Sequence, residues 1–174
     1  KRLWKAVYGF VNSRHPGVSI QTDSDLLDEA QEAMRRQLHA TIRKVTDDIG
    51  RRYTFNTAIA ANMELLNGLR KFGDQSRDGQ AIRKETLEGI VLMLSPIIPH
   101  ICEVLWKSLG HSESVVNVDW PDVDEKALEQ STLIMVVQVN GKLRGKIEVA
   151  TDAARDRIEA TALGDENVKR FVEG

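Results

Sequence analysis

The sequence predicts a mainly α-helical protein. An antiparallel bundle of about five helices is followed by a small, incomplete α+β unit with a β-hairpin and two short helices. Up to about residue 127, apolar residues recur every three or four positions, as in helices that bury one face. Beyond that point they alternate with polar residues, which is the period of a strand. This change of period predicts two domains, at 1–127 and 128–174.

Composition and charge limit the classes of function. The chain has 174 residues, of which 41% are hydrophobic and 29% charged, an ordinary globular composition. Its net charge of −2 excludes a strongly basic nucleic-acid binder, so any RNA contact must come from local patches. No apolar run approaches the roughly 20 residues that span a bilayer. A single cysteine cannot form an internal disulfide and suits a reducing, cytoplasmic location.

The first two helices follow from apolar spacing. The first is predicted over 1–13, and its helical pattern from the first residue leads us to expect a fragment of a longer protein. Asp23 or Ser24 is the predicted N-cap of a long second helix. Its apolar stripe persists for about six turns, which is typical of a bundle. The stripe consists of Leu27, Ala30, Met34, Leu38, Thr41, Val45 and Ile49.

Three further helices complete the predicted bundle. Thr54 is a candidate cap for the third, whose inward face is predicted to hold Phe55, Ala58, Ile59, Asn62, Leu66 and Leu69. A polar loop over 72–79 leads to a fourth helix at 80–94, with Leu87, Ile90, Val91 and Leu94 inward. The prolines of Ser95-Pro-Ile-Ile-Pro99 break it. A fifth helix is predicted over 100–109, followed by a connector over 116–129.

A β-hairpin is the most informative segment. Asn140-Gly141 joins two alternating runs and is the favoured pair for a type I′ turn, since both residues need positive φ. In the second strand, period two places Lys142, Arg144 and Lys146 on one face. Such a face suits an extended anion such as a nucleic-acid backbone, or else it is simply solvated. Short helices are predicted over 152–163 and, capped by Asp165, after it.

Residues for catalysis are not evident in the sequence. There is no glycine-rich phosphate loop and no cysteine or histidine set with metal-ligand spacing. His100 and Cys102 are two apart on a predicted helix, so their side chains point in different directions. We therefore predict a binding protein with no catalytic residue and no metal site.

Two segments of the bundle resemble the helical anticodon-binding domain of class Ia aminoacyl-tRNA synthetases. Arg51-Arg-Tyr-Thr-Phe-Asn-Thr-Ala58 is similar to an aromatic-x-Phe-Asn-Thr-Ala segment of that domain. Leu94-Ser-Pro-Ile-Ile-Pro-His-Ile-Cys-Glu-Val-Leu-Trp106 resembles its Leu-x-Pro-x-x-Pro-His-x-x-Glu-x-Leu-Trp signature. Trp120-Pro121 also falls where these enzymes have a Trp-Pro after the bundle. These features alone fit the leucyl, valyl, isoleucyl or methionyl enzymes.

The hairpin narrows the resemblance. Val137-Gln-Val-Asn-Gly-Lys-Leu-Arg-Gly-Lys-Ile147 is similar to the start of the C-terminal domain of bacterial-type leucyl-tRNA synthetases. The resemblance implies a cytoplasmic, monomeric parent ligase that uses ATP and Mg²⁺, with leucine tRNA as its partner and neither DNA nor a membrane. Its catalytic motifs are absent here, so the fragment itself should need no cofactor. The tRNA contacts it implies are Lys142, Arg144 and Lys146, and more weakly Arg51 and Arg52.

Two alternatives stay open at this point. The bundle could be a protein-interaction module whose hairpin edge pairs with a partner strand. It could also be the equivalent bundle of a valyl, isoleucyl or methionyl enzyme, although a different element should then replace the hairpin.

Overall fold

The computed structural model describes residues 1–13, 27–129, 132–151 and 153–172. It divides into two compact units, Lys1–Leu128 and Glu129–Gly174. The chain is mainly helical with a small antiparallel sheet, which confirms the predicted fold class. The helices of the first unit are α1 (Arg2–Ser13), α2 (Glu29–Gly50), α3 (Phe55–Lys71), α4 (Arg77–Leu94), α5 (Pro99–Ser108) and α6 (Glu125–Leu128). The second unit contains β1 (Thr132–Val139), β2 (Lys142–Ala150), α7 (Arg155–Gly164) and α8 (Glu166–Val172). None of the described helices is long and apolar enough to cross a bilayer.

Helix α2 begins later than the sequence predicts. Asp23 and Ser24 lie outside the described residues, and the observed N-cap is Asp28. The Asp28 carboxylate accepts from the Gln31 backbone N–H at 2.9 Å, and the Gln31 side-chain oxygen accepts from the Asp28 N–H at 3.0 Å. This reciprocal capping box satisfies two backbone donors that would otherwise lack partners, and it fixes the start of the helix. Helix α4, in contrast, begins earlier than predicted, because the Ser76 hydroxyl caps it by accepting from the Gly79 N–H.

The core of the first unit forms between α1, α2, α3, α4 and α5. Its largest fully buried side chains include Leu38, Leu65, Leu66, Ile82, Leu87, Ile90, Met93 and Leu105. Three residues predicted to face inward are instead exposed: Ala30, Phe55 and Ile59. On α3 the buried face is rotated toward Ala61 and Leu65, so Phe55 and Ile59, one turn apart, lie at its edge.

Two glycines allow the helices of the bundle to approach closely. A Cβ atom built on Gly89 of α4 would lie 2.9 Å from Cδ1 of Leu38 on α2. A Cβ atom built on Gly68 of α3 would lie 2.3 Å from the side-chain oxygen of Gln37 on α2. Gly89 therefore allows close packing of α4 on α2, whereas the atoms next to Gly68 belong to the end of a flexible side chain that can move aside.

A polar cluster ties the connector before the second unit to α2 and α4. The Arg35 guanidinium donates to Glu85 at 3.1 and 3.2 Å and to Asp124 at 3.1 Å. The Asp124 backbone N–H donates to Nδ1 of His39 at 3.1 Å. Burial alone would raise the pKa of Glu85, but hydrogen bonds from His39 and Arg35 outweigh it and hold that pKa below its ordinary value.

Acid should weaken this cluster. A carboxyl with a depressed folded-state pKa stabilises the fold above its unfolded pKa, about 4.3 for glutamate, and loses that contribution as pH falls through the folded value. Urea unfolding from pH 7 to pH 3 should show Glu85→Gln less stable than wild type at pH 7. The difference should shrink below about pH 4. A difference that stays constant with pH would contradict this role for Glu85.

The second unit has a small core under its hairpin. Ile147 and Val149 of β2 and Val168 of α8 are its buried apolar side chains among the described residues. As predicted, Asp165 caps α8, because its carboxylate accepts from the backbone N–H groups of Asn167 and Val168. Helix α7 begins only after Ala154, which the sequence placed inside it. This core is small for a folded unit. Because a two-stranded sheet alone is only marginally stable, the hairpin depends on packing against the helices.

Candidate nucleic-acid interface

The hairpin turn is as the sequence predicts. Asn140 has φ of 54° and Gly141 has φ of 73°, so both central residues are left-handed. Type I′ turns require this conformation, which matches the twist of the flanking strands. The turn therefore joins β1 directly to the basic strand β2.

A β-bulge in β2 changes which side chains share a face. Val137 pairs with Gly145, but the next residue of β1, Gln138, pairs with Leu143. Arg144 is therefore the extra residue of β2, without an opposite partner in β1. An extra residue in one strand reverses the alternation of every side chain beyond it.

The prediction that the three cations share one face is wrong for this reason. Val136 and Gln138 are two apart in β1, so their partners Lys146 and Leu143 lie on one face, which we call the open face. By the same rule, Lys142, the partner of Val139, lies on the opposite face together with Gly145. We call that second face the helix face, because the residue next to Gly145 there is Val168 of α8.

Arg144 also lies toward α8. Its guanidinium carbon is 3.6 Å from the centroid of the Phe171 ring, a close cation–π contact. Among the described residues its buried Nε has no hydrogen-bond partner. The Arg144 guanidinium therefore links β2 to α8, so this side chain has a structural role within the second unit.

The open face combines Lys146 with exposed apolar side chains and the exposed amide of Gln138. Val136 is 55% exposed and Leu143 is 56% exposed, and Lys146, the cross-strand partner of Val136, lies on the same face. No salt bridge of Lys146 is found within the described part of the chain. This combination can offer an ammonium group to a phosphate and apolar surface to a ribose or a base.

Arg51 and Arg52 lie at the end of α2 and are ion-paired. Nε of Arg51 is 2.6 Å from Asp47, and Arg52 lies 3.8 Å from Asp47 and 3.7 Å from Asp48. The hydrogen bond from Arg51 holds the pKa of Asp47 below its ordinary value. Both arginine side chains are still largely exposed, at 78% and 59%. They can therefore reach a ligand, but their charge is already partly compensated.

Tyr53, an aromatic residue of the segment 51–58, was not among the predicted contacts. It adopts φ of 54°, which is unusual for a bulky side chain, and it is 74% exposed. The backbone of the next residue, Thr54, is held in place by a hydrogen bond, because its N–H donates to the Asp48 carbonyl at 2.8 Å. We call Arg51, Arg52, Tyr53 and Phe55 the α2–α3 corner. An exposed ring beside two guanidinium groups is a platform on which a base can stack.

The chain's cysteine has no nucleophilic character. Cys102 is fully buried in α5, and burial raises the pKa of its thiol to about 12. A thiol in that state is almost entirely protonated at neutral pH. No group of three or more acidic, histidine or cysteine side chains in the described ranges is arranged to hold a metal ion.

Comparison with known proteins identifies the relatives of this arrangement. Residues 31–160 match the family described as the anticodon-binding domain of tRNA ligase. The leucine–tRNA ligases of Thioalkalivibrio sulfidiphilus and Nitrosococcus oceani are 55% and 52% identical over 174 residues. That of Pseudomonas aeruginosa is 49% identical over 174 residues. Each alignment covers the whole chain but only about a fifth of the relative's length.

A solved structure is also similar. The crystal structure of the ternary complex of Agrobacterium radiobacter agnB2 LeuRS, tRNA and LeuAMS matches with a TM-score of 0.78 and 28% sequence identity. The match covers 99% of this chain and 22% of that one.

Proposed function

This chain belongs to the family of anticodon-binding domains of tRNA ligases, and on that premise we propose that it is the tRNA-binding portion of a leucine–tRNA ligase. The family match over residues 31–160 carries the proposal, and the names of the relatives support leucine over valine, isoleucine or methionine. The whole enzyme would join leucine to its tRNA with ATP and Mg²⁺, as a cytoplasmic monomer. Catalysis would belong to parts of the enzyme other than these 174 residues.

The open face of the hairpin is the first proposed contact. RNA helices in the A-form expose phosphates and 2′-hydroxyls more readily than base edges. The ammonium group of Lys146 suits a phosphate oxygen, while Leu143 and Val136 can pack against ribose. Lys142 and Arg144 lie on the helix face, so we assign the phosphate contact to Lys146 and a positioning role to Arg144.

The α2–α3 corner is the second proposed contact. Tyr53 offers a ring for stacking, and Arg51 and Arg52 can bind phosphate in a bidentate manner. Their attraction to RNA is reduced by the ion pairs with Asp47 and Asp48. When RNA binds, either these ion pairs must break or each guanidinium must contact both its carboxylate and the phosphate. We therefore expect stacking by Tyr53 to contribute at least as much as the two charges.

Separate substitutions test these assignments. We expect Lys146→Ala to weaken binding of a fluorescein-labelled leucine tRNA transcript and to lower the slope of log K against log salt by about 0.7 to 0.9. Tyr53→Ala should weaken binding by roughly 1 to 3 kcal/mol with little change in that slope. Fluorescence anisotropy from 50 to 200 mM KCl measures both quantities.

The chain provides a matched control on α2. Arg43 is exposed and ion-paired with Glu125, as Arg51 is with Asp47, but it lies two helical turns before the corner. Arg43→Ala should leave both affinity and slope unchanged. If Arg43→Ala and Lys146→Ala weaken binding equally, the contact is nonspecific charge attraction and the assignment of Lys146 fails.

A further inference from the structure

A groove in the first unit is separate from the hairpin and from the α2–α3 corner. It has a volume of about 630 Å³ and lies between α1, the end of α3 and α4. Its floor is apolar and includes Leu69 and Leu87. Its charged lining consists entirely of cations: Arg2, Lys5, Arg70 and Arg83.

The residues that the structure describes compensate these charges poorly. Neither Arg2, Lys5 nor Arg70 forms a salt bridge with any described residue, whereas Arg35, Arg43, Arg51 and Arg52 all do. Arg83 donates to the backbone carbonyl of Phe72 at 2.5 Å, so its closest partner is neutral. Asp74 partly compensates Arg83 by charge attraction, and its carboxylate also accepts hydrogen bonds from Gln31 and Ser76. The groove therefore holds net positive charge next to apolar surface.

The wall formed by α1 is open at its centre. Gly9 lines the groove, and a Cβ atom built there would meet nothing within 4 Å. Glycine inside a helix costs about 0.5 to 1 kcal/mol relative to alanine, and no neighbouring atom requires it here. Its effect is to leave the helix backbone accessible and the groove wide at this point.

We propose that this groove binds a segment of RNA sugar–phosphate backbone, with Arg2, Lys5 and Arg70 contacting phosphates and the apolar floor meeting ribose or a base. The proposal rests on the proposed function in taking RNA as the ligand, and it adds a third contact surface. RNA is favoured over a small anion because the cations are distributed over three helices around a cleft with apolar surface.

The test uses the full chain and two kinds of variant. Arg2→Ala/Lys5→Ala/Arg70→Ala removes charge, and Gly9→Gln fills the groove while keeping every charge. For binding of the labelled leucine tRNA transcript, the triple variant should lower the slope of log K against log salt by about 2 to 2.7. Between 50 and 200 mM KCl, the affinity of wild type should therefore fall by roughly 15- to 40-fold more than that of the variant. Gly9→Gln should raise Kd without lowering the thermal midpoint, since glutamine favours helix more than glycine does.

Lys126→Ala is the control variant. It removes an exposed charge outside the groove and should change neither Kd nor the slope of log K against log salt.

Each outcome decides between the proposals. If the triple variant keeps the wild-type salt slope and Kd while the Lys146→Ala variant binds tRNA more weakly, the RNA-binding role of the groove is contradicted. The proposed function then still stands. Failure of wild type to bind tRNA at 50 mM KCl would overturn both. Unlabelled tripolyphosphate serves as the small-anion probe. If it competes equally well with RNA bound to wild type and to the triple variant, the groove holds no phosphate site. If tripolyphosphate binds wild type but not the triple variant, while the triple variant binds RNA as tightly as wild type does, the occupant of the groove is a small phosphate compound and not RNA.

Discussion

Leu38→Ala should lower the free energy of unfolding of the first unit by about 2 to 5 kcal/mol, as measured by urea denaturation. Leu38 is 1% exposed on α2, so removing its isobutyl group leaves a cavity at the centre of the bundle. The size of the loss within this range depends on how far the surrounding side chains can close onto that cavity.

The contact between Leu38 and Gly89 makes this prediction specific. A methyl group on Gly89 would lie 2.9 Å from Cδ1 of Leu38, so Gly89→Ala alone should cost about 1 to 3 kcal/mol. In the Leu38→Ala background the methyl group has room, and the gain in helix propensity of up to about 1 kcal/mol should be realised. The double variant should therefore be at least as stable as Leu38→Ala. Simple additivity of the two losses would contradict this packing.

Gly145→Val should unfold the second unit while leaving the first intact. Even a Cβ atom at Gly145 would lie 2.9 Å from Cγ2 of Val168 and 3.2 Å from the Asp165 carboxylate that caps α8. Overpacking of this kind costs about 1 to 3 kcal/mol, which is large for a unit with so small a core. Hydrogen exchange should show β2 losing protection while α2 to α4 keep theirs.

Two further variants isolate the cause. Gly164→Val adds the same side chain at the end of α7 and serves as a control for steric contact, because a Cβ at Gly164 meets nothing within 4 Å. Val168→Ala removes the methyl group that the new side chain would strike, so Gly145→Val/Val168→Ala should recover part of the lost protection. Equal loss in Gly145→Val and Gly164→Val would contradict a specific role for the contact between Gly145 and α8.

The bundle was predictable because its signals are local. Apolar spacing specified α1 to α5, and the prolines after Leu94 marked the break before α5. The true start of α2 was also readable in principle, since Asp28 and Gln31 have the spacing of a capping box. The inward assignment of Phe55 and Ile59 failed because a short apolar run does not specify which neighbour the helix packs against.

The site was predictable only in part. Asn140-Gly141 specified the turn, but the bulge at Arg144 coincides with a tertiary contact, that of its guanidinium with Phe171 of α8. A strict period of two cannot reveal an extra residue. The ion pair between Asp47 and Arg51 could have been expected from its i, i+4 spacing. The left-handed Tyr53 and the basic groove could not, because they arise from backbone and helix arrangements that no single segment encodes.

The most direct test of the central claim is titration of the wild-type chain into labelled leucine tRNA transcript, with a transcript of a different tRNA as comparison. The proposed function predicts saturable binding to leucine tRNA that weakens steeply from 50 to 200 mM KCl and is stronger than binding to the other transcript. No binding at 50 mM KCl, or equal binding to both transcripts, would contradict the claim that this chain is the tRNA-binding portion of a leucine–tRNA ligase.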